Sequence, residues 1–320
     1  MAEKKNLVIL TGPTAVGKTK LSIELAKRIG GEIISADSMQ VYKYMDIGSA
    51  KIMPEEMDGV VHHLIDVLEP TEEFDVFRFQ QMAKAKMQEV YERGNIPIIV
   101  GGTGFYIQAV LYDIDFAQSD ADEKLRRELE DTAEKIGAHA LHEMLCEVDP
   151  EAAEEIHENN VKRVIRAIEY YRQTGKKISE HNKEQREKES PYNFCYFVLN
   201  DDRARLYERI DIRVDQMLKA GLVEEVQALL AKGCRRESTA MQGLGYKEII
   251  DYIQGKTDLD RAVYLIKRDT RHFAKRQITW FKREKEVVWV PRHEIGPEDD
   301  KLLVYMLAQL KQRNIPEDTK

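Results

Sequence analysis

The sequence feature that most constrains the fold is a glycine-rich segment near the start of the chain. Residues 12–19 read GPTAVGKT and match the pattern G-x-x-x-x-G-K-[S/T] of a phosphate-binding loop, the P-loop. The apolar run 7–10 precedes this segment, and a helix-like run, 21–28, follows it. This order of strand, loop and helix places backbone N–H groups and a helix N-terminus around a phosphate. The chain is therefore predicted to bind a diphosphate, a triphosphate or a pyrophosphate ester.

The same motif assigns roles to its residues. The lysine of a P-loop contacts phosphate oxygens, and the hydroxyl that follows the lysine holds Mg²⁺. We therefore predict Mg²⁺ as the cofactor and Thr19 as its ligand. The predicted phosphate-binding residues are Gly12, Pro13, Thr14, Ala15, Val16, Gly17, Lys18 and Thr19.

Composition argues against several classes of protein. The chain has 320 residues, a net charge of −8 and three cysteines, Cys146, Cys195 and Cys234, which form no C-x-x-C pair. A disulfide framework or a thiolate zinc site is therefore not expected. The sequence also has neither an apolar run long enough to span a membrane nor a secretion signal. We expect a cytoplasmic protein without membrane association whose acidic balance disfavours binding nucleic acid over its whole surface.

Apolar runs later in the chain predict the rest of a sheet. Residues 32–36, 96–100 and 193–199 are predicted strands, and the continuous apolar character of 96–100 is typical of a strand buried in a parallel sheet. Together with the P-loop, these runs predict an α/β fold with a P-loop-type parallel sheet core.

A long helical segment interrupts the predicted sheet. Residues 119–191 are rich in charge and helix-forming residues and contain no convincing strand. We predict a core of residues 1–118 and 192–320, with residues 119–191 forming a mobile helical insertion domain. The exit of this segment, residues 180–190, is almost wholly polar and is expected to be mobile.

Two polar side chains follow predicted strands and are candidates for chemistry. Asp37 comes directly after the second strand, where it would act on Mg²⁺ through water, act as a general base, or only cap the next turn. Thr103 lies among glycines after the strand 96–100, where its hydroxyl would contact substrate or only cap a helix. Many P-loop enzymes have an acidic residue at that place. Its absence weakens the case for an ordinary NTPase.

A histidine pair looks at first like a metal site. His62 and His63 are adjacent, so in a strand their side chains point to opposite faces. Since no third ligand has suitable spacing, we interpret the pair as structural or substrate-lining.

Three arginines recur at four-residue intervals after the strand 193–199. In a helix, Arg205, Arg209 and Arg213 would be neighbours on one face that could clamp a pyrophosphate. Asp211 and Asp215 lie among them, so a surface ladder of ion pairs is an equally good interpretation.

The second informative segment is strongly basic. Residues 268–285 contain seven Lys or Arg and two acidic residues, a local charge of +5. A helix would separate a cationic face from an apolar one. The cationic face would comprise Arg268, Arg271, Lys275, Arg276, Lys282 and Arg283, and the apolar face Phe273, Ala274, Ile278, Trp280 and Phe281. This pattern predicts binding to nucleic-acid phosphates.

Five motifs occur in a fixed order along the chain. They are GPTAVGKT at 12–19, DSMQVY at 37–42, GGTGFY at 101–106, RVIRAIE at 163–169 and RQITWF at 276–281. Over roughly residues 6–290, this series resembles the bacterial tRNA dimethylallyltransferases, the isopentenyl-tRNA transferase family. The zinc finger that eukaryotic members have at their C-terminus has no counterpart in the cysteine spacing of this chain.

The resemblance implies a reaction. Members of the family transfer a dimethylallyl group from dimethylallyl pyrophosphate to N6 of the adenosine immediately 3′ of the anticodon of tRNA (position 37). The resemblance also implies that Asp37 is the general base, that Thr103 contacts the reacting groups and that Arg213 binds pyrophosphate. The expected contacts to the tRNA anticodon arm are Ser38, Met39, Gln40, Lys162, Arg163, Arg166, Arg271, Lys275, Arg276 and Lys282. No obligate protein partner is implied.

Two other classes of function remain open from the residues themselves. A P-loop small-molecule or nucleotide kinase would use the same loop and arginines but would have no need of the basic helix. A P-loop protein that binds RNA without catalysis would keep the basic helix but would not require Asp37.

Overall fold

A six-stranded parallel sheet forms the centre of the protein. The structure, a computed structural model, describes residues 4–116 and 123–317. The strand order is β3-β2-β4-β1-β5-β6, with every neighbouring pair parallel. The strands are β1 Asn6–Thr11, β2 Gly31–Ser35, β3 His62–His63, β4 Ile96–Gly101, β5 Asn193–Asn200 and β6 Val287–Pro291. The predicted α/β class and parallel sheet are confirmed.

The helices connect the strands or form a separate group. They are α1 Lys18–Ile29, α2 Val76–Glu92, α3 Gly104–Leu111, α4 Glu123–Val148, α5 Pro150–Glu155, α6 Val161–Thr174, α7 Ile178–Glu187, α8 Arg203–Lys219, α9 Leu222–Ala231, α10 Tyr246–Ile253, α11 Leu259–Phe281, α12 Arg292–Ile295 and α13 Asp299–Gln312. Two short 3₁₀ helices, Pro54–Met57 and Ala240–Gln242, lie in connecting segments.

The apolar runs of the sequence account for the core. Strand β1 lies between β4 and β5, and its residues from Leu7 to Leu10 are fully buried. In β5, the six residues from Phe194 to Leu199 are buried as well. A parallel strand covered by helices on both faces has no solvent side, so its sequence does not alternate between apolar and polar residues. Because the buried run defines each strand, it also defines the residue at which that strand ends on the carboxyl edge of the sheet.

The chain divides into two compact units. One comprises Met1–Leu111 and Pro191–Lys320, and the other, the helical unit, comprises Tyr112–Ser190. The boundary predicted between residues 118 and 119 lies outside the described residues.

The helical unit has an apolar core of its own. Leu129, Leu141, Leu145, Val164 and Ile168 are buried together within it. No strand occurs in its described part, residues 112–116 and 123–190. Helix α7 spans most of residues 180–190, and the expected mobility of that segment stays a prediction. Its charged residues are good helix formers, so a polar composition did not exclude a helix.

The histidine pair lies on β3, at one edge of the sheet. His63 Nε2 lies 2.7 Å from a carboxylate oxygen of buried Glu32, which also accepts two hydrogen bonds from Arg93 and one from Asn95. Hydrogen bonds from Arg93, then Asn95 and His63, outweigh burial and lower the pKa of Glu32 to about 2. The ring of His62 contacts the carbonyl of Val60 at 2.8 Å. These contacts give the two rings structural partners.

Over residues 4–116 and 123–317, no helix is both long enough and apolar enough to cross a bilayer.

Candidate active site

The loops that follow β1, β2 and β4 meet at the carboxyl edge of the sheet. The register pairs Thr11 with Gly101, and the Thr11 hydroxyl donates to the Gly101 carbonyl at 2.7 Å. The Thr103 N–H donates to the Ala36 carbonyl at 3.3 Å. A Cβ on Gly101 would lie 2.3 Å from that carbonyl oxygen, so only glycine allows this approach. The edge therefore brings the P-loop together with the segments that contain Asp37 and Thr103, where ligands bind in open α/β sheets.

The lysine of the P-loop folds back over the loop. Lys18 Nζ donates to the carbonyls of Gly12 at 3.0 Å and Pro13 at 2.9 Å. Loss of water contact and the nearby positive charge of Arg213 lower the pKa of Lys18 to about 8, against the opposing effect of Asp37. The ammonium thus lies in a site with too little negative charge to stabilise it fully. An anion would supply that charge.

The structure distinguishes among Arg205, Arg209 and Arg213 of α8. Arg209 Nη2 binds Asp201 at 2.6 Å, and Arg205 is exposed. Only Arg213 interacts electrostatically with both Lys18 and Asp37, and burial lowers its pKa.

The ladder of ion pairs considered for α8 does not form within that helix. Asp211 instead binds Arg271 of α11 at 2.5 Å, and Asp215 binds Lys267 of α11 at 2.6 Å. Spacing within α8 could not reveal these partners on another helix.

Asp37 caps the turn that follows β2. Its Oδ1 accepts from the N–H groups of Met39 at 2.8 Å and Gln40 at 3.4 Å. Within the described residues no hydrogen bond involves its Oδ2. The cap therefore holds the carboxylate in place and leaves one oxygen for other chemistry, so the capping and catalytic interpretations are compatible.

The residues that follow Asp37 line the same turn. Ser38, Met39 and Gln40 are all half-buried. Gln40 Nε2 donates to the carbonyls of Ser49 at 3.4 Å and Ala50 at 3.2 Å, so its amide donors contact the protein itself. The amide oxygen of Gln40 is the part of its side chain that could contact a base.

The loop 46–50, which Gln40 contacts, is held by a carboxylate from α9. Glu225 accepts from three consecutive backbone N–H groups, those of Asp46, Ile47 and Gly48, at 2.7–3.0 Å. The Tyr246 hydroxyl donates to the same carboxylate at 2.8 Å. Sequence analysis assigned no role to Glu225.

Thr103 lies directly before α3. Its carbonyl accepts from the N–H groups of Tyr106 and Ile107, as expected at a helix start. No hydrogen bond involves its hydroxyl in the part of the chain that the structure describes. Contact between this hydroxyl and substrate stays a prediction.

Gln277 of α11 connects the P-loop with the loop that follows β4. It is almost fully buried, its Oε1 accepts from the Thr14 N–H at 2.9 Å, and its Nε2 donates to the Gly102 carbonyl at 3.0 Å. One amide thus connects the P-loop with the segment that precedes Thr103. Sequence analysis quoted Gln277 in a motif but gave it no role. A polar residue on the buried side of an amphipathic helix is the signal that could have identified it.

The basic segment differs in part from its prediction. Helix α11 ends at Phe281, so Lys282 and Arg283 follow the helix instead of continuing its cationic face. Both are exposed, as are Lys275 and Arg276, whereas Arg271 is half-buried against Asp211. The prediction that six basic residues share one helical face is therefore wrong for the last two.

A concave surface along the C-terminal part of α11 encloses a volume of about 400 Å³. Trp280 contacts Phe105 edge to face, with ring centroids 6.2 Å apart. Cationic and aromatic groups side by side suit a nucleotide, which presents a phosphate and a flat base. The residues that line this surface are His272, Lys275, Arg276, Thr279, Trp280 and Arg283.

The three remaining predicted tRNA contacts lie on α6 of the helical unit. Lys162 and Arg163 are exposed in its first turn. Arg166 Nη1 lies 3.5 Å from the buried carboxylate of Glu169, to which Arg126 binds at 2.9 Å. Arg166 therefore has a structural contact within its own unit.

The residues around the P-loop fit the predicted Mg²⁺. Thr19 lies exposed in the first turn of α1, and Asp37 is close enough to affect the pKa of Lys18. Across the described chain, no group of three His, Cys, Asp or Glu side chains could form a metal site by itself. Mg²⁺ commonly has one or two protein ligands and takes its others from phosphate and water, which is the set available here.

The fold and this edge of the sheet are those of an α/β protein with a P-loop sequence, whose groups suit a phosphorylated ligand, beside a basic surface. Comparison with known proteins narrows the class. The IPP transferase family profile matches residues 40–284. A tRNA dimethylallyltransferase of Lachnoclostridium phytofermentans is 60% identical over 309 residues, covering 97% of this chain and 98% of the relative. Another, of Carboxydothermus hydrogenoformans, is 54% identical over 289 residues, covering 90% and 92%.

Solved structures similar to this protein indicate the same family. The full-length tRNA isopentenylpyrophosphate transferase of Bacillus halodurans matches with a TM-score of 0.73 and 44% identity, covering 97% of this chain and 98% of that one. A eukaryotic dimethylallyltransferase acting on tRNA matches with a TM-score of 0.84 and 30% identity, covering 99% of this chain and 81% of that one. The chain belongs to the IPP transferase family, that of the tRNA dimethylallyltransferases. This membership supports prenyl transfer over the kinase alternative.

The bridge made by Gln277 predicts a loss of stability when it is removed. Gln277→Leu keeps the volume but leaves the Thr14 N–H and the Gly102 carbonyl without a partner. An unpaired buried group costs about 1–3 kcal/mol. Because Thr14 and Gly102 are half-buried, water can replace part of each lost hydrogen bond, so we expect the free energy of unfolding in urea to fall by about 1–3 kcal/mol in total. Gln254→Leu, at an exposed position after α10, should change it by less than about 0.5 kcal/mol. Equal effects of the two substitutions would contradict the bridge.

The environment of Lys18 predicts its reactivity. An amine with a pKa of about 8 is acylated at lower pH than an ordinary lysine, whose pKa is about 10.4. Labelling with acetic anhydride over a pH series, followed by peptide mass spectrometry, should give half-maximal reaction of Lys18 near pH 8. Pyrophosphate with Mg²⁺ should move this midpoint upward, because an anion stabilises the ammonium. A midpoint close to that of free lysine, with or without pyrophosphate, would contradict the interpretation.

Proposed function

We propose that the protein transfers the dimethylallyl group of dimethylallyl pyrophosphate to N6 of the adenosine immediately 3′ of the anticodon of tRNA, position 37. The observation that supports this most is the meeting of the P-loop, Arg213, Asp37 and Thr103 at one edge of the sheet. A diphosphate leaving group, a base for the amine and a hydroxyl then lie in one site. A basic surface on α11 is available for RNA phosphates.

Asp37 is the proposed general base. The exocyclic amine of adenine is a weak nucleophile and must lose a proton as its nitrogen bonds to C1 of the dimethylallyl group. The Asp37 carboxylate, held by the N–H groups of Met39 and Gln40, accepts that proton. As the N6–C1 bond forms, the bond from C1 to the pyrophosphate oxygen breaks and its electron pair leaves with pyrophosphate. The Thr103 hydroxyl is proposed to orient the reacting groups.

The leaving group needs positive charge around it. We propose that P-loop N–H groups, Lys18 and Arg213 bind the pyrophosphate and stabilise the charge that develops as it leaves. Mg²⁺, held by Thr19 and phosphate oxygens, would add to this charge stabilisation when bound. The lowered pKa of Lys18 is consistent with a site built for an anion.

The tRNA must present its adenine outside the base stack, since a stacked base is unreachable. We propose that Ser38, Met39 and the amide oxygen of Gln40 contact the extruded adenine. Exposed cations on and after α11 would bind the anticodon-arm backbone, together with Lys162 and Arg163 of the helical unit. Closure of a mobile helical unit on the tRNA remains part of this proposal, as does action in the cytoplasm, where tRNA is available.

The direct test measures whether the label of dimethylallyl pyrophosphate is transferred to RNA. Unmodified tRNA, Mg²⁺ and radiolabelled dimethylallyl pyrophosphate are incubated with the protein, beside a sample given labelled ATP. We expect prenyl label in RNA, mapped to position 37 by nuclease digestion, and no consumption of ATP. Phosphate transfer from ATP with no label in RNA would contradict the proposal.

The proposed role of Asp37 predicts a selective loss of rate. Asp37→Asn keeps the shape and one cap acceptor but removes the base, so single-turnover rates should fall about 10²–10⁴-fold. The Kd for tRNA, measured by filter binding, should stay within about twofold of the wild type. Asp58→Asn, an exposed aspartate far along the chain, provides the matched control and should leave both values unchanged. Equal losses of tRNA affinity and rate in Asp37→Asn would instead indicate a structural cap.

The basic surface predicts the salt dependence of binding. Arg271 is paired with Asp211, so the exposed residues Lys275, Arg276 and Lys282 are the better test. Changing these three to Gln should reduce the slope of log affinity for tRNA against log salt by about 2–3, because each phosphate contact contributes about 0.7–0.9.

A control triple should separate contact from net charge. Lys256, Lys301 and Lys311 are exposed on other elements, and changing them to Gln alters the net charge equally. We expect this triple to leave the slope nearly unchanged. The same reduction in both triples would exclude a specific role for the surface on α11.

A further inference from the structure

Arg292 is a buried arginine to which sequence analysis gave no role. It is the first residue of α12, directly after β6, and its side chain is only 11% exposed. Its Nη2 donates to the Pro297 carbonyl at 3.1 Å and to the carboxylate of Asp299. Its Nη1 is buried and has no hydrogen-bond partner in the part of the chain that the structure describes. Two acceptors therefore hold Nη2, whereas the N–H groups of Nη1 have no acceptor among the described residues.

The unpartnered half of Arg292 lies against the P-loop. A Cβ built on Gly17 would lie 3.0 Å from Nη1 and 3.6 Å from Cζ, and these are its nearest atoms. Strand pairing explains the position, because Pro291 pairs with Asn200 of β5 and β5 pairs with β1. Arg292 thus follows its strand at the same carboxyl edge as the loop.

A buried guanidinium N–H without an acceptor is costly, and a charged acceptor offsets the cost best. The P-loop is the place where an anion is expected, since Gly17 directly precedes Lys18 and α1. Asp299 does not supply the missing acceptor here, because its Oδ1 accepts from Nη2, its Oδ2 lies 3.4 Å from Lys20, and Nη1 has no partner among the described residues. A phosphate oxygen has the charge that the free donors of Nη1 require.

We propose that Arg292 is a third cationic ligand of the pyrophosphate, beside Lys18 and Arg213. In this arrangement Asp299 holds Nη2 in a fixed position and Nη1 donates to a phosphate oxygen at the Gly17 side of the loop. The inference rests on the proposed pyrophosphate site. It adds a residue that directly follows the last strand of the sheet, more than 270 positions from the P-loop in sequence.

A purely structural role is the competing explanation. Arg292 and Asp299 connect α12 with α13, so removing the arginine could affect only stability. The two explanations differ in what they change. A structural role lowers the unfolding temperature without altering affinity in the folded protein, whereas a ligand role lowers the affinity for pyrophosphate.

The test measures binding of inorganic pyrophosphate with Mg²⁺ by calorimetry, using the full chain. Arg292→Gln should weaken this binding about tenfold, the typical effect of one charge-assisted contact. The Kd for tRNA should not change. Arg313→Gln is the matched control, because Arg313 lies at the opposite edge, where its Nη1 donates to the Phe194 carbonyl at 3.0 Å. The control should bind pyrophosphate as the wild type does.

Unfolding temperatures of each variant, measured without ligand, show whether it is folded at the temperature of the titration. If Arg292→Gln does not fold, Arg292→Lys decides, because one ammonium cannot both bind Asp299 and reach the loop. Its affinity should fall about threefold. Wild-type affinity in a folded Arg292 variant would overturn the proposal, as would an equal loss in Arg313→Gln. Failure of the wild type to bind pyrophosphate at all would instead overturn the site on which the proposal rests.

Discussion

The hydrogen bonds of one buried amide, that of Gln277, connect the parts on which this site depends. The P-loop and the loop after β4 come from different strands and have no covalent reason to keep a fixed separation. Gln277 accepts from one and donates to the other, at 2.9 and 3.0 Å. Because Gln277 belongs to α11, the helix that contains the exposed cations Lys275 and Arg276 also sets the geometry of the phosphate site. A buried, fully paired amide of this kind favours one arrangement, since any other would leave its groups unpaired.

The second constraint is electrostatic. Lys18 and Arg213 are close to one another, with Asp37 as their nearest opposite charge, and burial adds to the cost of keeping both charged. A folded protein accepts such a cost where a ligand relieves it. The positive groups are already in place before an anion arrives, so they need not reorganise as charge moves to the leaving group. In this series, Arg209 is paired with Asp201 and Arg205 is exposed, whereas Arg213 is the member that interacts with Lys18 and Asp37.

Sequence alone predicted the parts of the site that local patterns encode. The P-loop, the parallel strands and the position of Asp37 after β2 follow from motifs and apolar runs, and the structure places them together. Patterns along one helix could not choose among Arg205, Arg209 and Arg213, because their spacing puts all three on one side. The choice depends on Asp201 and on partners from α11. Gln277 and Arg292 were missed for the same reason, since each lies against a P-loop residue more than 260 positions away, Thr14 for Gln277 and Gly17 for Arg292. The end of α11 was misplaced because basic residues suit a helix and the turn after it equally well.

The hydrogen bonds that Glu225 accepts from the loop 46–50 determine when that loop becomes ordered. Three backbone N–H groups and a tyrosine hydroxyl fix that loop around a single carboxylate, and the loop in turn fixes Gln40 through two of its carbonyls. The conformational entropy of the loop is therefore lost when the chain folds and not when a ligand arrives. For the proposed contact between Gln40 and the adenine, this order means that the protein would select among RNA molecules when they first collide with it, and less through a later rearrangement.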